Sequence, residues 1–126
     1  MPTGKLVYVM DDDPDIGEIC TIAFEARGHQ VRTFLTVADG LAAIRAQAPD
    51  LLVLDVMIDE ADSGFKVAQA LAKSNPRLPI VMLSSIAEAS SQVFDVSQLP
   101  VAKLLEKPPE PRALVDLAER LMAGGR

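Results

Sequence analysis

Short apolar runs alternate along the chain with longer segments in which apolar residues recur every three or four positions. Unbroken apolar runs of four or five residues are typical of strands that are buried on both faces, whereas the longer spacing predicts amphipathic helices. Their alternation predicts a parallel sheet with helices on both sides. Strands are predicted at Leu6–Met10, Gln30–Phe34, Leu51–Leu54, Ile80–Leu83 and Val101–Leu105.

Capping residues locate the predicted helices. Asp13 before Pro14 begins the first helix, because Asp is a good N-cap and Pro is favoured at the first helical position. Gly28 ends this helix. The segment from Thr36 to Asp39 resembles a capping box and begins the second. Further helices are predicted at Ser63–Ser74 and Pro111–Met122, with a short or irregular one at Ala87–Gln98.

Length and composition narrow the class of protein. The 126 residues suit one domain, with a core expected over about residues 5–122. The chain has 12 basic and 18 acidic residues, and its net charge of −6 argues against binding to nucleic acid or anionic membranes. No apolar run approaches the roughly 20 residues of a membrane span. The single cysteine, Cys20, forms no internal disulfide and suits a cytoplasmic protein.

Polar residues stand where the predicted strands end. Asp11 and Asp12 follow the first strand, Asp55 the third, Ser84 the fourth and Lys107 the fifth. The carboxyl ends of parallel strands meet at one edge of the sheet, where α/β sheets bind their ligands. We therefore expect these five residues to converge on one site.

The chemistry of this set points to phosphoryl transfer. Two carboxylates ~4 Å apart repel by roughly 4 kcal/mol at an effective dielectric constant of ~20, so a cluster of them calls for a cation. Oxygen ligands favour Mg²⁺, which commonly binds phosphate as well. A carboxylate beside Mg²⁺ can attack phosphorus and form an acyl phosphate, with the metal and a lysine stabilising the transferring group.

With these residues the chain resembles the receiver domain of two-component response regulators. The resemblance covers about residues 5–122 and implies a doubly wound, flavodoxin-like (βα)5 fold with strand order 2-1-3-4-5. The matching stretches are residues 9–14, 54–57, 81–85 and 106–108.

The resemblance implies a role for each residue of the set. Asp55 would be the phosphoacceptor, Ser84 the switch hydroxyl and Lys107 the partner of a phosphoryl oxygen. The Lys107–Pro108 peptide bond would be cis. The implied Mg²⁺ ligands are Asp11, Asp12, Asp55 and the backbone carbonyl of Met57.

The chain departs from the family pattern in the loop over residues 58–63. This loop is one residue longer than usual, since Gly64 follows Asp55 by nine positions instead of eight. Asp59 stands where the family usually has proline, which could alter metal geometry or kinase recognition.

Leu104 replaces the aromatic switch residue, so signalling through a ring rotation is not expected. Met57 and Ile86 occupy positions that in the family influence how water reaches the acyl phosphate. Because both are apolar, slow dephosphorylation is expected.

The predicted function is a signalling switch that catalyses only its own phosphorylation and dephosphorylation. Its expected partners are a sensor histidine kinase or phosphotransfer protein and a downstream protein target, and a monomer or weak dimer is expected. The sequence leaves open whether the chain stands alone or belongs to a larger protein. An alternative is a docking module that is never phosphorylated. A phosphohydrolase with an Asp nucleophile is disfavoured, because Asp15 stands where that motif needs Thr.

Several other polar residues have structural explanations. Asp13 is predicted to act only as a helix cap, and Cys20 as a small buried hydrophobic residue. Lys103 is expected to face solvent. His29 has no neighbouring Cys or His in the sequence, so a metal or catalytic role is not predicted for it. The acidic residues of the 58–63 loop are predicted to form a solvated face.

Overall fold

The computed structural model describes residues 4–59, 63–85 and 101–124. In these ranges five parallel strands form one sheet in the order β2-β1-β3-β4-β5, which confirms the predicted fold. The helix predicted at Ala87–Gln98 lies outside the described residues. The strands are β1 (Leu6–Met10), β2 (Gln30–Phe34), β3 (Leu51–Asp55), β4 (Ile80–Ser84) and β5 (Lys103–Glu106). The described helices are α1 (Pro14–Glu25), α2 (Val37–Ala46), α3 (Ser63–Ser74) and α4 (Pro111–Gly124).

Alternate residues of the central strands pack into two different cores. Val7 and Val9 of β1 pack with α1 and α4, whereas Tyr8 and Met10 pack with α2 and α3. Because successive side chains of a strand point to opposite faces, a continuous apolar run supplies both cores at once. The same alternation holds in β3 and β4, whose five residues are all buried.

The predicted helix caps are confirmed. The Asp13 side chain accepts the amide N–H of Asp15 at 2.9 Å, at the start of α1. Thr36 Oγ1 accepts the amide N–H of Asp39 at 3.2 Å, at the start of α2. The turn after α1 contains Gly28 with φ of 86°, a left-handed conformation that glycine adopts without steric cost. These contacts place the β1–α1 turn and the start of α2.

The strand boundaries differ slightly from the predicted ones. Both β3 and β4 extend by one polar residue, because Asp55 and Ser84 still pair with the neighbouring strands. The edge strand β5 starts at Lys103 instead of Val101 and ends at Glu106 instead of Leu105. Lys103 is exposed, as expected. Hydrophobicity alone therefore misplaced the strand ends where a polar residue continues the ladder.

A polar network joins the turn after α1 to α4. Arg27 forms ion pairs of 2.8 Å with Asp116 and Glu119. His29 is buried; its Nδ1 accepts the amide N–H of Lys5 at 3.1 Å and its Nε2 lies 2.8 Å from a Glu119 oxygen. Since Nδ1 accepts, the proton of the neutral ring is on Nε2 and is donated to Glu119. His29 thus connects the start of β1 to α4.

Each described helix is too short or too polar to cross a lipid bilayer.

Gly64, near the start of α3, provides a test of close packing beside the site. Its N–H donates to the carbonyl oxygen of Val56 at 2.8 Å, and a Cβ at this position would lie 2.7 Å from Val56 Cα and closer still to the Asp55 carbonyl oxygen. We expect Gly64→Ala to reduce the free energy of unfolding by about 1–3 kcal/mol, because rigid backbone must shift. Chemical denaturation measures this. Gly17→Ala is the control, since its Cβ would meet only the Thr33 side chain, 3.2 Å away; equal losses in both variants would contradict the prediction.

Candidate functional site

The turn after β1 and the end of β3 bring three carboxylates together at the carboxyl edge of the sheet. Oxygen atoms of Asp11, Asp12 and Asp55 all lie within 4.8 Å of one another. The interior strands β1 and β3 are neighbours, and Met10 pairs with Leu54, so the residues after this pair, Asp11 and Asp55, are adjacent. Asp11 and Asp55 are buried, while Asp12 is exposed.

Lys107, at the end of β5, contacts two of these carboxylates. Its Nζ lies 3.1 Å from Asp55 Oδ1 and 3.0 Å from Asp11 Oδ2. The side chains of Asp11 and Asp55 are 1% and 4% exposed, against 21% for Lys107. The Lys107–Pro108 peptide bond is cis, as the resemblance implied. The lysine therefore reaches across from the edge strand to the centre of the site.

Backbone amides orient the two buried carboxylates. Asp11 Oδ1 accepts the N–H of Asp13 at 2.9 Å, and Asp55 Oδ1 accepts the N–H of Met57 at 3.3 Å. Each acceptor lies two residues before its donor, so the turn that follows each strand fixes the side chain at the strand end. The carboxylates are consequently held by the local backbone as well as by Lys107.

Burial dominates the acid–base properties of the site. It raises the pKa of Asp55, and Lys107 counters this only in part. It likewise raises the pKa of Asp11, against the Asp13 amide and Lys107. For Lys107 burial acts to lower the pKa, but the contacts with Asp11 and Asp55 outweigh it, and the pKa is raised. Lys107 thus compensates the burial of the two carboxylates only in part.

Ser84, at the end of β4, is fully buried on the strand beside β3. Its hydroxyl oxygen has no hydrogen-bond partner among residues 4–59, 63–85 and 101–124. A buried hydroxyl ordinarily has a partner, because leaving it unsatisfied costs roughly 1–3 kcal/mol. This hydroxyl is therefore suited to donate to a group that enters the site.

Comparison with known proteins agrees with this geometry. The sequence profile of the response regulator receiver domain matches residues 7–119. The chain belongs to the response regulator receiver family. The solved receiver domain of NtrX from Brucella abortus has 28% sequence identity and a TM-score of 0.82, over 94% of this chain and 98% of that one.

Curated relatives of this receiver domain are larger proteins. The transcriptional regulatory protein TcrX of Mycobacterium tuberculosis is 37% identical over 79 residues, which are 63% of this chain and 33% of that protein. The nitrogen assimilation regulatory protein NtrX of Azorhizobium caulinodans is 26% identical over 117 residues, 92% of this chain and 26% of that protein. The matched residues thus span about a third or less of the length of these relatives.

The carboxylates of the receiver domain fit a divalent cation. Three negative charges and the one positive charge of Lys107 leave two negative charges, which one Mg²⁺ neutralises. The donors are hard oxygen atoms, and the exposed Asp12 leaves one side open to the water ligands that Mg²⁺ retains. Asp11, Asp12 and Asp55 are therefore the side chains suited to hold the metal.

The departures from the family pattern include Leu104 on β5 and residues after β3. Leu104 is half-buried and packs with the core on the side of α2 and α3. Met57, directly beyond the buried Val56, is 39% exposed. Ile86 lies outside the described residues.

One contact near the site was not predicted. Asp59 was assigned to a solvated face, and it is exposed, but its Oδ2 accepts the amide N–H of Val37 at 3.2 Å. The contact spans 22 positions of sequence. The replacement of the family's proline by Asp59 was the only signal for it in the sequence.

The raised pKa of Asp55 predicts how its charge affects stability. An acid whose pKa is higher in the folded than in the unfolded state stabilises the fold below its unfolded pKa of about 3.8, and this contribution is lost as the pH rises through the folded pKa. We therefore expect Asp55→Asn to melt a few degrees above the wild type at neutral pH without metal, and the difference to vanish in acid. Thermal melting in a chelating buffer measures this.

Asp13→Asn is the matched control for this experiment, because Asp13 is exposed and asparagine is also a good N-cap. Its melting temperature should follow that of the wild type at every pH. An Asp55→Asn protein that melts below the wild type at neutral pH would contradict the prediction.

Proposed function

We propose that this receiver domain is a phosphoacceptor switch, in which Mg²⁺-dependent transfer from a phosphohistidine places a phosphoryl group on Asp55. The observation that carries the proposal is the contact of Lys107 with Asp55 inside a cluster of three carboxylates. That arrangement combines a nucleophile, a cation for the transferred group and ligands for a metal.

Asp55, Lys107 and the amide of Met57 have different roles in the proposed transfer. A carboxylate oxygen of Asp55 forms the bond to phosphorus while the bond from phosphorus to the histidine nitrogen breaks. When bound, Mg²⁺ supplies positive charge to the phosphoryl oxygens. Lys107 supplies a second positive charge, already placed 3.1 Å from Asp55 Oδ1. The amide of Met57 restrains Asp55, so little reorientation of the nucleophile is needed.

Ser84 is the residue proposed to sense the new group. Its buried hydroxyl would donate to a phosphoryl oxygen and draw the end of β4 towards Asp55. Asp55 pairs with Leu83, the residue before Ser84. A shift of β4 at Ser84 would therefore act directly on the end of β3. Leu104 cannot add the ring rotation of the family, so the change is proposed to spread through β4 and its connections.

The proposed partners follow from this chemistry. A sensor histidine kinase or a phosphotransfer protein provides the phosphoryl group, and a downstream protein reads the altered surface. The domain acts on itself and is proposed not to turn over an external substrate. Its net charge of −6 disfavours direct contact with nucleic acid. We place this exchange in the cytoplasm, in keeping with the lone, buried Cys20.

Intact mass after incubation with acetyl phosphate tests the proposed function. We expect the wild type to gain one phosphoryl group in Mg²⁺ and none in a chelator, because Asp55 needs the metal for the transfer. Asp55→Ala should gain none in either condition. Asp13→Asn should behave like the wild type, since its side chain only caps α1. No gain in any condition would contradict the proposal and favour the phosphorylation-independent docking module.

Slow dephosphorylation is a second expected property. Met57 places a flexible apolar side chain, 39% exposed, two residues beyond the phosphoacceptor, where it can screen the acyl phosphate from water. After removal of acetyl phosphate, the phosphorylated fraction followed by mass should decay over minutes or longer. Met57→Gln should shorten the lifetime, whereas Ile22→Gln, an equally polar change at an exposed position on α1, should not. A wild-type half-life of seconds would contradict this expectation.

A further inference from the structure

We propose that Asp59 is a positioning residue that ties the loop after β3 to the start of α2 and thereby holds the Met57 carbonyl towards the metal. The inference rests on the proposed function and on the resemblance, which implies that this carbonyl is a metal ligand. It concerns the residue at which this chain departs from the family pattern.

The contact occupies a free donor of α2. Val37 is the first residue of the helix, and the first amide groups of a helix have no partner within it. Asp59 Oδ2 accepts the Val37 N–H at 3.2 Å, while Thr36 serves the amide of Asp39. A carboxylate is also favoured at a helix N-terminus by the helix dipole. The side chains of Asp59 and Thr36 thus accept hydrogen bonds from two of the free amide groups at the start of α2.

The backbone of Asp59 excludes the residue that the family uses there. Its φ is 68°, in the left-handed region, whereas proline is fixed near −65°. Asp is among the residues that tolerate this conformation. The loop therefore follows a path that proline cannot take, and its restraint comes from a side-chain contact instead.

This contact adds to a series of anchors in the described residues after β3. Val56 donates its N–H to Leu83 at 3.0 Å and accepts the N–H of Gly64 at 2.8 Å. Met57 donates to Asp55, and the Ile58 side chain is fully buried. The peptide group that carries the Met57 carbonyl follows the anchored Met57 amide. This peptide group can still rotate unless the backbone after Ile58 is also restrained. The hydrogen bond of Asp59 with Val37 provides that restraint.

An amide NMR titration with MgCl₂ alone tests the inference on the wild type, Asp59→Gly and Asp59→Asn. Glycine keeps the left-handed backbone but removes the tether, so we expect the dissociation constant for Mg²⁺ to rise about tenfold, the lower end of the effect of removing groups that orient metal ligands. Asparagine keeps an oxygen acceptor and loses the charge, so binding should remain near that of the wild type. The Val37 amide should exchange faster with solvent in Asp59→Gly only.

Three outcomes would overturn the inference. Unchanged Mg²⁺ affinity in Asp59→Gly would show that the tether does not position a ligand. An equal loss in Asp59→Asn would show that the negative charge near the cation matters and not the hydrogen bond. A wild type that binds no Mg²⁺ and gains no phosphoryl group would overturn this inference together with the proposed function, which distinguishes the failure of both from the failure of the tether alone.

Discussion

The ion pairs of Lys107 with two buried carboxylates are the interaction on which the site depends. Asp11 and Asp55 are almost without solvent, and burial raises the pKa of both. Removing Lys107 would leave two buried carboxylates without their cation, which is costly. The lysine comes from the edge strand β5, whereas the acids come from the two strands in the middle of the sheet. The site therefore exists only when β1, β3, β4 and β5 have assembled, and its residual negative charge favours a divalent cation.

The parts that sequence predicts well are those governed by short repeats. The two-residue period of β1, β3 and β4 fixes which residues face each core, and their unbroken apolar character indicates burial on both faces. Once parallel strands are predicted, their ends must share an edge, which is why Asp11, Asp12, Asp55 and Lys107 were expected together. Helix caps are equally local, since Thr36 contacts a residue three positions away.

Contacts between distant segments were not predictable in this way. The link from His29 to Glu119 spans 90 positions, and that from Asp59 to Val37 spans 22. Each depends on the path of a turn or loop, which hydrophobic periodicity does not encode. The boundaries of β5 failed for a related reason: an edge strand is half-buried, so its hydrophobic pattern is weak and its pairing with β4 decides where it begins.

The residues that match the family pattern and those that depart from it lie in different parts of the fold. The acids, the hydroxyl and the lysine lie at strand ends, where the sheet itself positions them, so a longer loop after β3 leaves their geometry intact. Asp59 and Leu104 instead contact neighbouring elements: Asp59 the start of α2, and Leu104 the core on the side of α2 and α3. Asp59 links the segment after β3 to the start of α2, while Leu104 on β5 lacks the movable ring of the family. In the proposed switch, the phosphoryl chemistry is therefore retained, while the contacts of the loop after β3 and of β5 differ from the family pattern.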